Sequence, residues 1–443
     1  MSPVRQQRNN VLLSVFFPVL VVFLFEVFTG AFEFVGVLRA VHLLLVLGAL
    51  GLIAVFVTGR FRQVVLSPVG SVLTLFTIWF VICVPFAIWR GGSFAVLVNS
   101  WSRTYLAYIL TAGLIATLAQ SRKIFHTIAY SAGIVACLAL ALHNYDVEGR
   151  LGIGGTRNAN ANEFGFALLV GLPFLAFMFL RGNRLRKTAA VILTPPVLLA
   201  LSKTGSRGCL LGAGMLCVYA FLQASWATRA KLAIAVPLLF VVLVALAPSS
   251  LRERYTTLFG SQQQMTYAQA EASGSAEARW TLLKDSLVLT ATHPLFGVGP
   301  GNFMVAQNDL ALARGDPYGN WRVTHNTYTQ LSSEMGIPGL LIYWAFLFQC
   351  WRATTAIIRR RGVSGELRVM AKTVRAAFVV LVTVATFDSL AYNVNIPILA
   401  GLITALSFIA KAQPASDKQT KRVESVPSLP EPDFEPAWSG PPY

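Results

Sequence analysis

Runs of about 20 apolar residues recur along this chain from Val11 onward, and no other feature limits its fold so strongly. Hydrocarbon offers the backbone no hydrogen-bonding partner, so each run must satisfy its own N–H and C=O groups as a helix. Only 12% of residues are charged, about half the share of a soluble globular chain. The expected fold class is an all-α polytopic membrane protein.

About twelve spans are expected, at 11–29, 37–58, 67–89, 100–119, 124–142, 163–180, 188–203, 207–226, 232–248, 337–357, 374–391 and 394–411. Residues 1–249 thus carry the first nine, 250–336 an extramembrane loop, 337–411 the last three, and 412–443 a polar, Pro-rich tail expected to be disordered. The first run follows Arg5 and Arg8 without a small-residue cleavage site, which reads as a retained helix. Pro195-Pro196 should kink or break its span.

The formal net charge of +17 invites a nucleic-acid reading, but its distribution opposes one. Arg60 and Arg62, Arg122 and Lys123, the Arg181–Lys187 cluster, Arg229 and Lys231, and Arg359-Arg360-Arg361 fall in alternate loops, the pattern of cytoplasmic positive charge. Both termini are then expected in the cytoplasm. Cys83, Cys137, Cys209, Cys217 and Cys350 lie in or beside apolar runs, unlike a disulfide framework or a CxxC metal site.

The segment from about Ser250 to Gly336 is the one long run where charges, turn residues and a histidine meet outside an apolar context. Arg157, in a Gly-Gly-Thr-Arg-Asn loop, Arg207, in Thr204-Gly205-Ser206-Arg207-Gly208, and Arg279 fall on the outer side against the positive-inside trend. Guanidinium forks beside glycine-rich turns suit a pyrophosphate. Singly, each also reads as an interfacial arginine gripping lipid headgroups. Trp280, Leu283 and Leu287 recur at helical spacing, with His293-Pro294 ending that helix.

Leu295-Phe296-Gly297-Val298-Gly299-Pro300-Gly301 lacks the glycine spacing of a dinucleotide fingerprint, with no strand expected before it and no helix after it. It reads as a turn. Asn326 is expected to cap a short helix from Thr327 to Met335, with Gly336 as its stop and Pro338 opening the tenth span. The positive end of that helix dipole disfavours imidazolium at His325, leaving the neutral form that a general base needs. A structural histidine is the plainer alternative. Glu334 and Asp388 are possible partners, and the other histidines do not cluster with it in sequence, so neither metal nor cofactor is expected.

His325-Asn326, then nine residues, then Gly336-x-x-Gly339 resembles the signature of the O-antigen ligase and polymerase superfamily. The Thr204–Gly208 turn and the His293–Gly299 segment also look like that family's, and the resemblance is strongest over about 200–345. It implies a GT-C-like inner-membrane enzyme with a long periplasmic loop between its ninth and tenth spans. Its substrates would be an undecaprenyl-pyrophosphate-linked glycan donor and a glycan, lipid or protein hydroxyl as acceptor. Carried over by motif, His325 serves the acceptor hydroxyl and Arg207 binds pyrophosphate; Arg279 and Arg157 match by location, and Asn326, Gly336 and Gly339 support the site.

The Arg-x10-Gly pattern of some O-antigen polymerases is missing, since the eleventh residue beyond Arg157, Arg207 and Arg279 is Leu168, Val218 and Thr290. A secondary transporter of a lipid or small anion is the competing expectation. It is disfavoured because ionisable residues in the spans are few (Glu26, His126 and Asp388) and no related halves are apparent. A scaffold within a polysaccharide-assembly complex is the third.

Overall fold

The computed structural model describes residues 3–34, 42–146, 149–156, 158–246, 267–316 and 321–413. The expected tail, Arg157 and the first part of the large loop lie outside them, apart from Ala412 and Gln413. In chain order the α-helices are α1 (Pro3–Thr29), α2 (Leu43–Val57), α3 (Arg60–Val65), α4 (Pro68–Cys83), α5 (Arg90–Val96), α6 (Ser102–Leu114), α7 (Leu118–Leu142) and α8 (Ala161–Arg181). They continue as α9 (Arg184–Lys203), α10 (Arg207–Gln223), α11 (Trp226–Leu246), α12 (Tyr267–Thr292), α13 (Phe303–Ala313), α14 (Thr327–Arg359), α15 (Gly365–Val384) and α16 (Asn395–Ala412). Among the described residues β-structure is limited to one isolated bridge, Tyr145 with Leu151.

A helix overlaps every expected span. By length and composition alone, seven described segments suffice to cross a membrane: Val11–Thr29, Pro68–Phe86, Leu118–Leu142, Ala161–Arg181, Arg184–Lys203, Thr327–Arg359 and Asn395–Ala412. Large apolar side chains such as Val15, Ile53, Ile78, Val191, Leu222 and Phe348 lie exposed on the outer flanks of the helices. In water such a surface would drive aggregation; in lipid it is the matched one. The chain is a multi-pass membrane protein.

Two expectations about the spans need correction. Pro195-Pro196 does not break α9, which runs on to Lys203. Membrane helices tolerate proline where neighbouring groups re-satisfy the freed backbone. The eleventh helix of the expected set is Gly365–Val384 rather than 374–391, because Ser364 caps it by accepting from Leu367 N. Hydropathy finds the apolar run, whereas the cap sets the start of the helix. Asp388 therefore leaves the span and stands in the loop Ala385–Val394.

The core is helix on helix. α16 packs along α6, α14 along α4, and α8 lies among α7, α9 and α15. Small residues allow close approach where lipid supplies no hydrophobic drive between helices. A Cβ on Gly171 would stand 2.4 Å from Ala132 Cβ, and one on Gly401 2.7 Å from Thr111 Cβ. At the N-terminus of α7, Arg122 Nη2 donates to Glu366 Oε2 at 2.6 Å, tying α7 to α15.

Candidate active site

Lys203 to Arg207 make a tight turn. Thr204 closes α9, Gly205 takes φ +59°, and Ser206 caps α10 by accepting from Cys209 N at 3.4 Å. Arg207 is the first residue of α10. A Cβ on the following Gly208 would lie 3.0 Å from Phe387 Cβ, so the turn sits against the α15–α16 loop. The loop before α8 docks on the same turn. Leu151 N donates to Lys203 O and Arg150 Nε to Thr204 O, both at 2.9 Å, while Arg150 Nη2 donates to Asn162 Oδ1 at 2.6 Å. Arg150 is thereby fastened beside the turn that carries Arg207.

His325 has φ +50°, a left-handed conformation uncommon for a residue with a Cβ. The loop Ala385–Val394 holds it there. Ser389 Oγ accepts from His325 N at 2.9 Å and lies 2.8 Å from Thr324 Oγ1. Thr327 Oγ1 donates to Asp388 O at 2.7 Å, and Thr327 N donates to Ala385 O at 2.8 Å. Asn326 caps α14 as expected, its Oδ1 accepting from Tyr328 N at 2.9 Å and Thr329 N at 3.1 Å.

Gly336 breaks the helical geometry, with φ +70° and ψ −178°, so α14 is two helices that meet at a kink: Gly336 stops the first after Met335 and Pro338 opens the second, as expected. Backbone groups on both sides of the kink find partners outside the helix. Ser333 O and Glu334 O accept from Val298 N at 2.8 Å and Gly299 N at 3.0 Å, and Ile337 N donates to Pro294 O at 2.8 Å. Met335 O accepts from Trp79 Nε1 at 2.9 Å. The glycine-rich turn therefore serves as a hydrogen-bonding plug for the kink. A Cβ on Gly336 would meet Leu295 O at 2.1 Å, and one on Gly297 would meet the Glu334 carbonyl carbon at 2.3 Å, so neither position admits a side chain. A Cβ on Gly339 would come within 2.5 Å of Met335 Cβ, with Trp79 at 3.4 Å. The turn is not followed by irregular chain as expected, since α13 begins at Phe303.

Glu334 is buried beneath this plug and accepts from Phe303 N, Gln330 Nε2 and, at 2.6 Å, Tyr392 Oη. It is a structural tie between α13, α14 and the α15–α16 loop.

Electrostatics link four distant segments. Burial pushes the His325 imidazole down to about 4, helped by the nearby charges of Arg279, Arg322 and Arg150. Asp388 is raised above the ordinary carboxylate range by burial, against the opposing pull of Ser389 N–H, Arg279 and Arg150. Nδ1 of His325 and Oδ2 of Asp388 are buried without a hydrogen-bond partner. Arginines gathered around a neutral imidazole repel one another, a balance that an anion would relieve.

Beside this cluster lies a cavity of about 750 Å³. Its lining mixes apolar Phe23, Val27, Leu44 and Leu106 with Glu26, Glu33, Asn158, Glu163, Asn393 and Asn395, and includes the cation Arg103. Glu163 links the cavity to the site. It lines the cavity, follows the Asn162 that holds Arg150, and feels the charge of Asp388.

Residues 189–344 match the family model described as O-antigen ligase. This stretch is similar to the O-antigen ligase family. Among curated proteins nothing matches the chain. The matched stretch spans α9 to the middle of α14 and so contains the Arg207 turn, Arg279, Arg322, His325, Asn326, Gly336 and Gly339. Arg150 and the Ser389 loop fall outside it.

Of the residues expected at the site, Arg279 and His325 meet electrostatically, and Arg207 is brought alongside through Arg150. Arg207 is not among the described charges acting on His325. Sequence reasoning passed over Arg150, although Gly149 and Gly152 flank it in the same outer loop as Arg157, and it passed over Arg322 three residues before His325. The amphipathic reading of α12 also needs turning. Leu282, Asp285, Ser286 and Leu289 face inward, while Trp280 and Leu287 are exposed. Lys284 lies 5.4 Å from the Trp280 ring centroid on that exposed face. Among the described residues no group of three His, Cys, Asp or Glu side chains is placed to hold a metal.

Proposed function

We propose that this protein is a glycan transferase of the bacterial inner membrane, with about twelve spans, cytoplasmic termini and a periplasm-facing site. It moves a saccharide from undecaprenyl pyrophosphate to an acceptor hydroxyl. The observation that carries this reading is His325 itself, held left-handed by Ser389 and buried where the charges of Arg279, Arg322 and Arg150 act on it.

In the reaction the acceptor oxygen forms a bond to the anomeric carbon as the bond from that carbon to the pyrophosphate oxygen breaks. The electron pair leaves with the lipid pyrophosphate. Arg150, Arg207, Arg279 and Arg322 receive that growing charge, each such donor being worth on the order of 3 kcal/mol in the transition state. His325 accepts the hydroxyl proton, which its neutral form allows at pH 7. The carboxylates and amides of the adjoining cavity suit sugar hydroxyls and repel phosphate, so the acceptor glycan sits there and the donor pyrophosphate on the arginines.

The test is complementation in the native host with His325→Ala, Arg207→Ala and Arg150→Ala at wild-type expression, reading surface polysaccharide by size on a gel. All three are expected to fail. Polymer that persists without reaching its acceptor identifies a ligase; single repeat units in place of long chains identify a polymerase. Full complementation by His325→Ala and Arg207→Ala overturns the transferase reading in favour of a transporter or scaffold.

A further inference from the structure

A second cavity, of about 500 Å³, lies at the far end of the helices that carry the site. Its walls come from the start of α4 (Ser67–Val69), the last turns of α14 and the end of α16. Arg352, Arg359 and Arg360 stand roughly 20–35 Å beyond the kink at Gly336, at 1.5 Å per residue. The lining holds four cations, these arginines and Lys411, and no carboxylate. The cavity nearer His325 is lined instead by three carboxylates, Glu26, Glu33 and Glu163, with Arg103.

The remaining lining is mixed: Val69, Ala353, Ala356, Ile357 and Phe408 are apolar, and Ser67, Gln349, Thr404 and Ser407 are polar. The N-terminus of α4 adds the positive end of its dipole to the same space. A cavity lined by both apolar side chains and four cations fits an amphiphile with an anionic head, and basic pockets between transmembrane helices recruit such lipids. Bulk attraction of cytoplasmic lysine and arginine to the bilayer does not need a cavity. A concave site with four converging cations does more than orient the chain.

We propose that this cavity binds the phosphodiester headgroup of an anionic membrane lipid, with an acyl chain along α14 and α16. The inference is independent of the transferase reading, since it rests on a separate site at the opposite end.

The experiment uses the full chain purified in mild detergent, with retained lipid measured by native mass spectrometry and by extraction. The protein is then offered phosphatidylglycerol, cardiolipin or phosphatidylethanolamine of equal chain length. The wild-type protein should retain the anionic lipids at least tenfold over phosphatidylethanolamine. Combined Arg352→Gln, Arg359→Gln and Arg360→Gln should lower that preference at least tenfold. Removal of the same number of charges outside the cavity, by Arg184→Gln, Arg186→Gln and Lys187→Gln, should leave it intact. Ala356→Trp, which fills the cavity and removes no charge, should also expel the lipid, and gel filtration with helical circular dichroism checks that each variant folds. Equal loss in the two charge-removal variants overturns the proposal. Displacement of the lipid by millimolar inorganic phosphate overturns it too, because the site would then take free phosphate.

Discussion

The backbone N–H of His325 donates to Ser389 Oγ at 2.9 Å, a bond that joins residues 64 positions apart. Through it the loop between the last two helices fixes the φ +50° conformation from which the imidazole projects. Ser389→Ala should remove that restraint together with the Thr324 contact and leave a buried N–H unpaired, at a cost of about 1–3 kcal/mol. Transfer activity is expected to fall about tenfold or more in kcat with little change in donor KM. Steady-state kinetics with purified enzyme would check this; an unchanged kcat would show that the clamp does not position His325.

The pH dependence has a definite sign. With its folded value depressed to about 4 from 6.5, His325 stays neutral down to that value, and folding is favoured less as pH falls from about 6.5 toward 4. The acid limb of kcat/KM, which reports the free enzyme, should lie well below 6.5. Bound pyrophosphate offsets the arginine charges, so the acid limb of kcat should lie higher. Arg279→Gln should raise the limb of kcat/KM. A limb at or above 6.5 in the wild-type enzyme contradicts the assignment.

Gly336→Ala should be severely destabilising, because its Cβ would collide with Leu295 O at 2.1 Å and its φ of +70° is strained for alanine. A loss of more than about 3 kcal/mol is expected. Gly315→Ala is the internal control: its φ is +90°, but nothing lies within 4 Å, so only the conformational cost of about 1 kcal/mol remains. Thermal unfolding in detergent should separate the two clearly; similar midpoints would mean that the plug against the kink contributes little.

Tyr392→Phe withdraws the hydroxyl that donates to buried Glu334 at 2.6 Å. Loss of stability by about 1–3 kcal/mol is expected. In the double variant with Glu334→Gln the two losses should be clearly less than additive, because they share one bond. Strict additivity in a thermal-unfolding cycle would deny the coupling.

Much of this molecule was readable from residue order. Apolar runs located a helix at every expected span, Asn326 announced the cap of α14, and the spacing from His325-Asn326 to Gly336 and Gly339 marked the domain later matched over residues 189–344. These are local properties: hydropathy, side-chain capping and glycine tolerance act over a few residues. The apolar spacing of α12 did not say which of its faces turns inward, since in lipid an apolar stripe can point outward as readily as inward.

What residue order did not reveal is who meets whom. Arg150 joins the site because the loop before α8 docks on the Thr204 turn, and Ser389 because α15 ends early at Val384. Neither contact leaves a periodic trace, and both lie outside the matched domain. The sequence by itself determined that the chain spans a membrane, where its helices fall, and which histidine and glycines form a motif. Only the tertiary structure decided that the charges of Arg150, Arg279 and Arg322 act on His325, because charges distant in sequence act on one another through space that the packing of the helices creates.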